Sequence, residues 1–398
     1  MSAKPNYNRT LAACYLGYIT QAITSTFAPM LFLTFRSSYG ISLEIITLIP
    51  SMFFLVQLLT DLAAAKFADR IGYRTCVIIG EISAAIGLVG LGVFPEIFPH
   101  PFAGLMVAVT FYAIGSGIME TLVSPIVEAC PFDNKEGVMS ILHSFYCWGC
   151  AAVILGSTVF FSIFGIENWK YLSCLWAIVP LANIINFATC PIEYLVEDGK
   201  GMTITQLFKS KVFWVLALLM VCAGASEHGM AQWASAFTES ALNVSKTVGD
   251  LAGPFLFAIL MGLARTFHGK FSEKFDLTNF MVGSSILCIA CYLLAALTSN
   301  PILGLIGCAV CGTSVGIMWP GAFSIAAQKC PTGGTALFAL LALTGDLGCS
   351  VGPGVVGVFS SLANDNLKAG LLAATIFPAV MIAGLLYMKK HFANIKKG

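Results

Sequence analysis

The sequence predicts an all-α integral membrane protein of twelve transmembrane helices in two pseudo-symmetric six-helix bundles, and three observations carry that reading. Of its 398 residues, 58% are hydrophobic and only 10% are charged, against roughly a quarter charged in an ordinary soluble domain. Apolar runs of about the 20 residues needed to cross a bilayer recur along nearly the whole chain, with short polar gaps between them. Finally, GIMETLVSPIVEACP, beginning at Gly117, and GIMWPGAFSIAAQKCP, beginning at Gly316, repeat one pattern in the two parts of the chain.

In order, the spans are expected at 11–35, 43–65, 75–94, 102–127, 138–163 and 171–189, and then at 212–237, 252–267, 280–297, 301–327, 336–360 and 371–388. The first carries Gln21, Thr24, Ser25 and Thr26 and lacks a small-residue cleavage site, so it reads as a retained helix and not a signal peptide. Lys and Arg collect in the short loops that stay in the cytoplasm. With Met1 inside, only Arg36, Lys170, Lys246 and Lys368 of the 21 basic residues fall outside, which puts both termini in the cytoplasm of a cell (plasma or inner) membrane. Topology thus accounts for the basic residues, and the net charge of +1 implies no nucleic-acid partner. None of the 14 cysteines lies in an expected outer loop, so they read as packing residues, the C-x-x-C pairs Cys288–Cys291 and Cys308–Cys311 included.

A second internal match supports the repeat: KFADRIG from Lys66 against KFSEKFD from Lys270, each just after the second span of its half. The domains are therefore an N-terminal six-helix bundle over 1–190, a cytoplasmic linker over 191–211 and a C-terminal bundle over 212–398. Parallel repeats of this kind build carriers that hold substrate near the midplane between two rocking halves.

The stretch AKFADRIGYR from Ala65 resembles the G-x-x-x-D-R-x-G-R-[KR] signature of the major facilitator superfamily, with Ala65 for the first glycine and Tyr73 for the usual arginine. Within that superfamily the chain is most similar to the fucose/hexose cation-symporter branch. GIMETLVSPIV resembles the branch's G-x-L-E-T-x-x-N-P, with Ser124 at the asparagine. ILHSFYCWG resembles L-H-S-F-Y-G-x-G, GIMWPGAFSIA resembles S-I-M-[FY]-P-T-I-F-S-L, and GASEHGMAQW resembles G-x-E…G…W. Ser25 stands where the proton-coupled members carry an aspartate, and Asp346 where the branch more often shows glycine. The resemblance implies an MFS fold and alternating-access transport of a sugar-like small molecule, with a proton favoured over sodium as the coupling ion, no cofactor and a working monomer. It also implies that Asp69, Arg70 and Arg74, together with Arg265 at the end of the eighth span, act as gating residues; topology retention by positive charge is the other reading of these bases.

Ionisable groups inside a membrane cost about 2.5–3.5 kcal/mol at helix centre and so mark candidate functional positions. Glu120, one turn before Ser124, is the first candidate for coupling and protonation; its alternative is interhelical glue. Trp319 is its counterpart in the second half. Glu227 and Asp346 are further candidate acids. Adjacent Glu227 and His228 project about 100° apart, and His228 shares a face with Gln232. His143 and Tyr146 lie three residues apart on one face, as do Gln21 and Ser25 at four. With Trp233 and Trp319 as aromatic plates, these residues suit a hydroxyl-rich ligand. A proton-coupled exporter of drugs or metabolites is the alternative within the transporter class. An enzyme is disfavoured, because the five histidines are scattered and no H-E-x-x-H, nucleophile elbow or phosphate-binding glycine loop is present. The pattern contains no metal-ligand set.

Overall fold

The structure of the chain, a computed structural model, describes residues 6–41, 45, 48–195, 201–242, 251–364 and 366–392, and every regular element among them is helical. Long helices follow one another with short connections: α1 (Tyr7–Met30), α2 (Phe32–Tyr39), α3 (Leu48–Ile71), α4 (Tyr73–Ile97), α5 (Pro101–Ala129), α6 (Lys135–Phe164), α7 (Trp169–Trp176) and α8 (Ile178–Thr189). The short α9 (Ile204–Lys209) precedes α10 (Lys211–Leu242), α11 (Leu256–Phe271), α12 (Leu277–Leu297), α13 (Pro301–Val315), α14 (Met318–Lys329), α15 (Gly334–Leu362), α16 (Leu367–Ala374) and α17 (Ile376–His391). Ten of the twelve expected spans are long and apolar enough, among the described residues, to cross a membrane. The other two are helical as well, and each differs for a visible reason. α1 is diluted by its buried Thr10, Thr20, Gln21 and Thr24. The eighth span is divided into a π-turn, Leu251–Phe255, which contains Pro254, and α11.

Four of the expected spans are split into helix pairs: the first at Leu31, between α1 and α2, and three others at breaks that a proline explains. Proline has no N–H to give the carbonyl four residues back and its ring crowds that carbonyl. Pro180, Pro320 and Pro378 therefore interrupt the ladder at Trp176, Gly316 and Ala374, which is where α7 gives way to α8, α13 to α14 and α16 to α17. The Pro180 and Pro378 breaks, in Ala-Ile-Val-Pro and Thr-Ile-Phe-Pro, add a third match to the two read from the sequence.

The second span continues beyond 65 to Ile71, so the KFADR segment closes α3 instead of forming a loop. Gly72, at φ +92°, makes the turn into α4, a conformation that favours glycine.

By contacts the chain forms two compact units. Unit 1 comprises Met1–Pro131, Phe145–Gly201 and Gly334–Ala339; unit 2 comprises Phe132–Ser144, Met202–Gly333 and Leu340–Gly398. The core of unit 1 gathers Ile23, Phe27, Leu31, Leu88, Tyr112 and Trp169, all 2% exposed or less. In unit 2, α10 and α15 pack closely because a side chain at Gly224 would meet the carbonyl of Gly345 and one at Gly348 that of Val221. All fourteen cysteines are free thiols.

The two repeated segments at the helix ends make parallel contacts. In unit 1, the Thr335 hydroxyl at the start of α15 donates to Asp69 Oδ1 at 2.5 Å and also bonds the Tyr73 hydroxyl. In unit 2, Asn134, just before α6, donates from Nδ2 to Ser272 Oγ at 2.9 Å. Each copy thus meets the N-terminal end of a fifth-in-half helix.

Candidate functional site

Unit 1 holds a polar cluster deep in the apolar part of its helices. Glu120 on α5 is 7% exposed, and its Oε2 accepts hydrogen bonds from Gln21 Nε2 of α1 at 3.0 Å and from Gln57 Nε2 of α3. The Ser116 hydroxyl, one turn before Glu120, donates to Gln57 Oε1 at 3.2 Å. Burying a carboxyl group this way is tolerated because hydrogen-bond donors converge on it. Gln21 Oε1, by contrast, is buried with no hydrogen-bond partner.

One turn along α5, Ser124 is fully buried with its hydroxyl 2.9 Å from that of Tyr18. Ser25 bonds its own helix at Ala22 O (3.2 Å) and lies 3.3 Å from the Tyr146 hydroxyl. Unit 1 therefore brings Glu120, Gln21, Ser25, Ser124 and Tyr146 onto facing helices with amide and hydroxyl chemistry. Gln57 and Asp61, fully or nearly buried at consecutive turns of α3, are additions that the sequence reading did not single out. Their signal was present: two polar residues four apart, on one face of an otherwise apolar span.

A second buried acid in unit 1, Glu81, has a donor on each carboxyl oxygen. It accepts from Thr20 Oγ1 at 2.9 Å and from Asn183 Nδ2 at 2.7 Å, tying α1, α4 and α8 together.

Unit 2 is organised around Arg265, 3% exposed on α11. Its Nε donates to Gly316 O at 2.8 Å, its Nη1 to His143 O at 3.1 Å and its Nη2 to Glu227 Oε2 at 3.2 Å. Gly316 O is the carbonyl that Pro320 leaves without a helical donor, so the guanidinium repairs the break between α13 and α14. Arg265 is thus the ion-pair partner of Glu227, while the neighbouring His228 is half-buried with Nδ1 unpartnered.

The His143 ring stacks on Phe323 at 5.7 Å, and Trp319 meets Phe323 edge-on at 6.2 Å. A side chain at Gly345 would collide with the Trp319 ring, so this glycine fixes where the indole lies. Asp346, the next residue on α15, is 7% exposed. Trp233 is half-buried and donates from Nε1 to Pro353 O at 3.2 Å. The side chain of Gln232, and Lys246, lie outside the described residues.

Of the expected gating residues, Asp69 takes the Thr335 bond described above and Arg70 is exposed. Arg74 caps the end of α8, with Nη2 donating to Cys190 O at 2.8 Å and Nη1 to Phe187 O. Among the described residues, no group of three or more His, Cys, Asp or Glu side chains could hold a metal ion.

Chemically, unit 1 offers a buried carboxyl group hydrogen-bonded by two carboxamides, and unit 2 offers a buried ion pair between Glu227 and Arg265. Residues 14–353 match the family model described as Major Facilitator Superfamily. Among solved structures, the chain is similar to an MFS transporter, FucP, in the outward conformation (15% identity, 95% of this chain and 98% of that one, TM-score 0.80). It is also similar to the proton:xylose symporter XylE bound to 6-bromo-6-deoxy-D-glucose (12% identity, 97% and 95%, TM-score 0.81), and to the human organic anion transporter MFSD10 (14% identity, 96% and 100%, TM-score 0.78). No curated protein matches at a significant level. At these identities the structures establish the twelve-helix fold of two six-helix bundles that the sequence predicts.

Proposed function

Because the chain belongs to the Major Facilitator Superfamily, we propose that it is a secondary active transporter that moves a sugar- or polyol-like solute by alternating access, in symport with protons. The observation that carries this reading is the arrangement around Glu120: a buried carboxyl group held by two carboxamides, beside hydroxyls and the unmatched acceptor Gln21 Oε1. A substrate hydroxyl would supply the donor that this acceptor lacks, removing a desolvation cost of about 1–3 kcal/mol. The likeness to a proton:xylose symporter points the same way.

In this proposal Glu120 takes and releases the coupling proton, with Asp346 and Glu227 as further acids. Gln21, Ser25, Ser124 and Tyr146 hydrogen-bond the solute from one half, and His143, Glu227, His228, Gln232, Trp233 and Trp319 complete the binding set. Asp69, Arg70, Arg74 and Arg265 change partners between conformations. The halves are 1–190 and 212–398, both termini face the cytoplasm of a plasma or inner membrane, and the monomer transports without chemical change to the solute.

A second reading, a proton-coupled exporter, is favoured by Arg265: a buried guanidinium could receive an anionic solute when Glu227 protonates and lets go. Uptake of labelled hexoses, deoxyhexoses and polyols into proteoliposomes under imposed proton or sodium gradients separates the two. Accumulation of one of these solutes with an inward proton gradient is the expected result. No accumulation under either gradient, together with proton-driven extrusion of an organic anion, would put the exporter first.

A further inference from the structure

A groove of about 800 Å³ runs along unit 2 between α11, α12 and α13. Its walls include Leu263 and Phe267 of α11, 49% and 50% exposed, and Leu287, 39% exposed on α12, which is long and apolar enough to cross a membrane. Gly283 leaves the trough open, since a side chain there would meet nothing within 4 Å. The charged lining is at the end where α11 passes into α12, and Ser284 and Thr313 add hydroxyls farther along. Lys274 lines that end with its ammonium 5.0 Å from the Phe271 ring, and Lys389 of α17 donates to Oδ1 of the lining residue Asn279 at 2.8 Å. Of the two acidic side chains in this turn, Glu273 does not line the groove and Asp276 does, capping α12 by accepting from Asn279 N at 2.9 Å. One lining ammonium, Lys274, and a second, Lys389, bonded to a lining residue therefore stand at the head of the trough against one lining carboxylate that is already bonded.

We propose that this groove binds one anionic phospholipid, with the phosphate between Lys274 and Lys389 and an acyl chain along Leu263, Phe267, Gly283 and Leu287. The apolar length calls for a hydrocarbon chain, and the paired cations favour a headgroup of net negative charge over a zwitterionic one. Each cation near an anionic lipid surface contributes about fivefold, so the preference is about thirtyfold.

Native mass spectrometry of the full-length protein in detergent, titrated with phosphatidylglycerol or with phosphatidylcholine of the same chains, tests this. The wild type should retain its first phosphatidylglycerol at about one-thirtieth of the phosphatidylcholine concentration. Lys274→Gln with Lys389→Gln should bring the ratio to within about threefold. Gly283→Leu should weaken both lipids at least tenfold, its unfolding midpoint showing that the fold is intact. Equal affinity for the two lipids, a preference that survives the double variant, or indifference to Gly283→Leu in the folded protein would each overturn the proposal. So would competition by glycerol 3-phosphate at equal concentration, since that would make the site one for a soluble phosphate ester.

Discussion

Replacing Arg265 with methionine should be among the most damaging single changes to unit 2, and the structure gives the size of the effect. The side chain is 3% exposed and makes three hydrogen bonds, to Gly316 O, His143 O and Glu227 Oε2. Methionine fills much of the volume but donates nothing. Removing one partner of a buried ion pair costs about 3–5 kcal/mol, because the other charge is left uncompensated. The carbonyl of Gly316 adds about 1–3 kcal/mol, since Pro320 cannot reclaim it. Partners found in the membrane-embedded unfolded state lower such values, so we expect a loss of about 3–5 kcal/mol in all. The double variant Arg265→Met with Glu227→Leu removes the stranded charge and should regain most of it, leaving about 1–3 kcal/mol for the carbonyl. Reversible unfolding by SDS in mixed micelles, run as a double-mutant cycle, measures both quantities. A single-variant loss below about 1 kcal/mol, or a double variant no more stable than the single one, would refute the buried pair as the organiser of unit 2.

Other predictions follow from neighbouring contacts. Gln57→Leu removes a donor to Glu120, and loss of a hydrogen bond to a charged group, worth about 1.5–3 kcal/mol, should slow gradient-driven transport about tenfold to a hundredfold at unchanged expression. Transport assays on reconstituted variant protein check this. Gly345→Leu drives a side chain into the Trp319 ring and should abolish folding or transport, whereas Gly354→Leu on the same helix, where a side chain meets nothing within 4 Å, should be tolerated; yield and solute exchange report both. Thr335→Val breaks the hydroxyl's bonds to Asp69 and Tyr73. If that contact is one unit, Thr335→Val and Asp69→Asn should alter the exchange rate by similar factors and the double variant by no more than either alone.

Much of this architecture is legible in the chain because membrane spans obey a simple length and polarity rule, and because the halves repeat. The repeated KFADRIG and KFSEKFD segments do make parallel contacts, one through Thr335 and the other through Asn134. The Pro180 and Pro378 match is also visible in the chain, as is the carbonyl four residues before Pro320 that lacks a helical donor. What a sequence does not display is the donor that serves it. Arg265 reads as a basic residue at the end of a span, yet α11 carries it into the buried interior, where its acid lies 38 positions earlier on another helix. Gln57 and Asp61 were hidden by the apolar run around them, which satisfies the span rule with two polar residues to spare. Glu120 was visible as an expensive intramembrane acid, but its two carboxamide partners come from helices 99 and 63 residues away in sequence.

The central claim, that Glu120 couples solute movement to the proton, is tested most directly by comparing wild type with Glu120→Gln in proteoliposomes loaded with the transported solute. Glutamine keeps the shape and hydrogen-bonding capacity of the side chain but cannot titrate. The account predicts that the variant still exchanges labelled for unlabelled solute and no longer accumulates it under an inward proton gradient. Accumulation by Glu120→Gln at the wild-type level would contradict it.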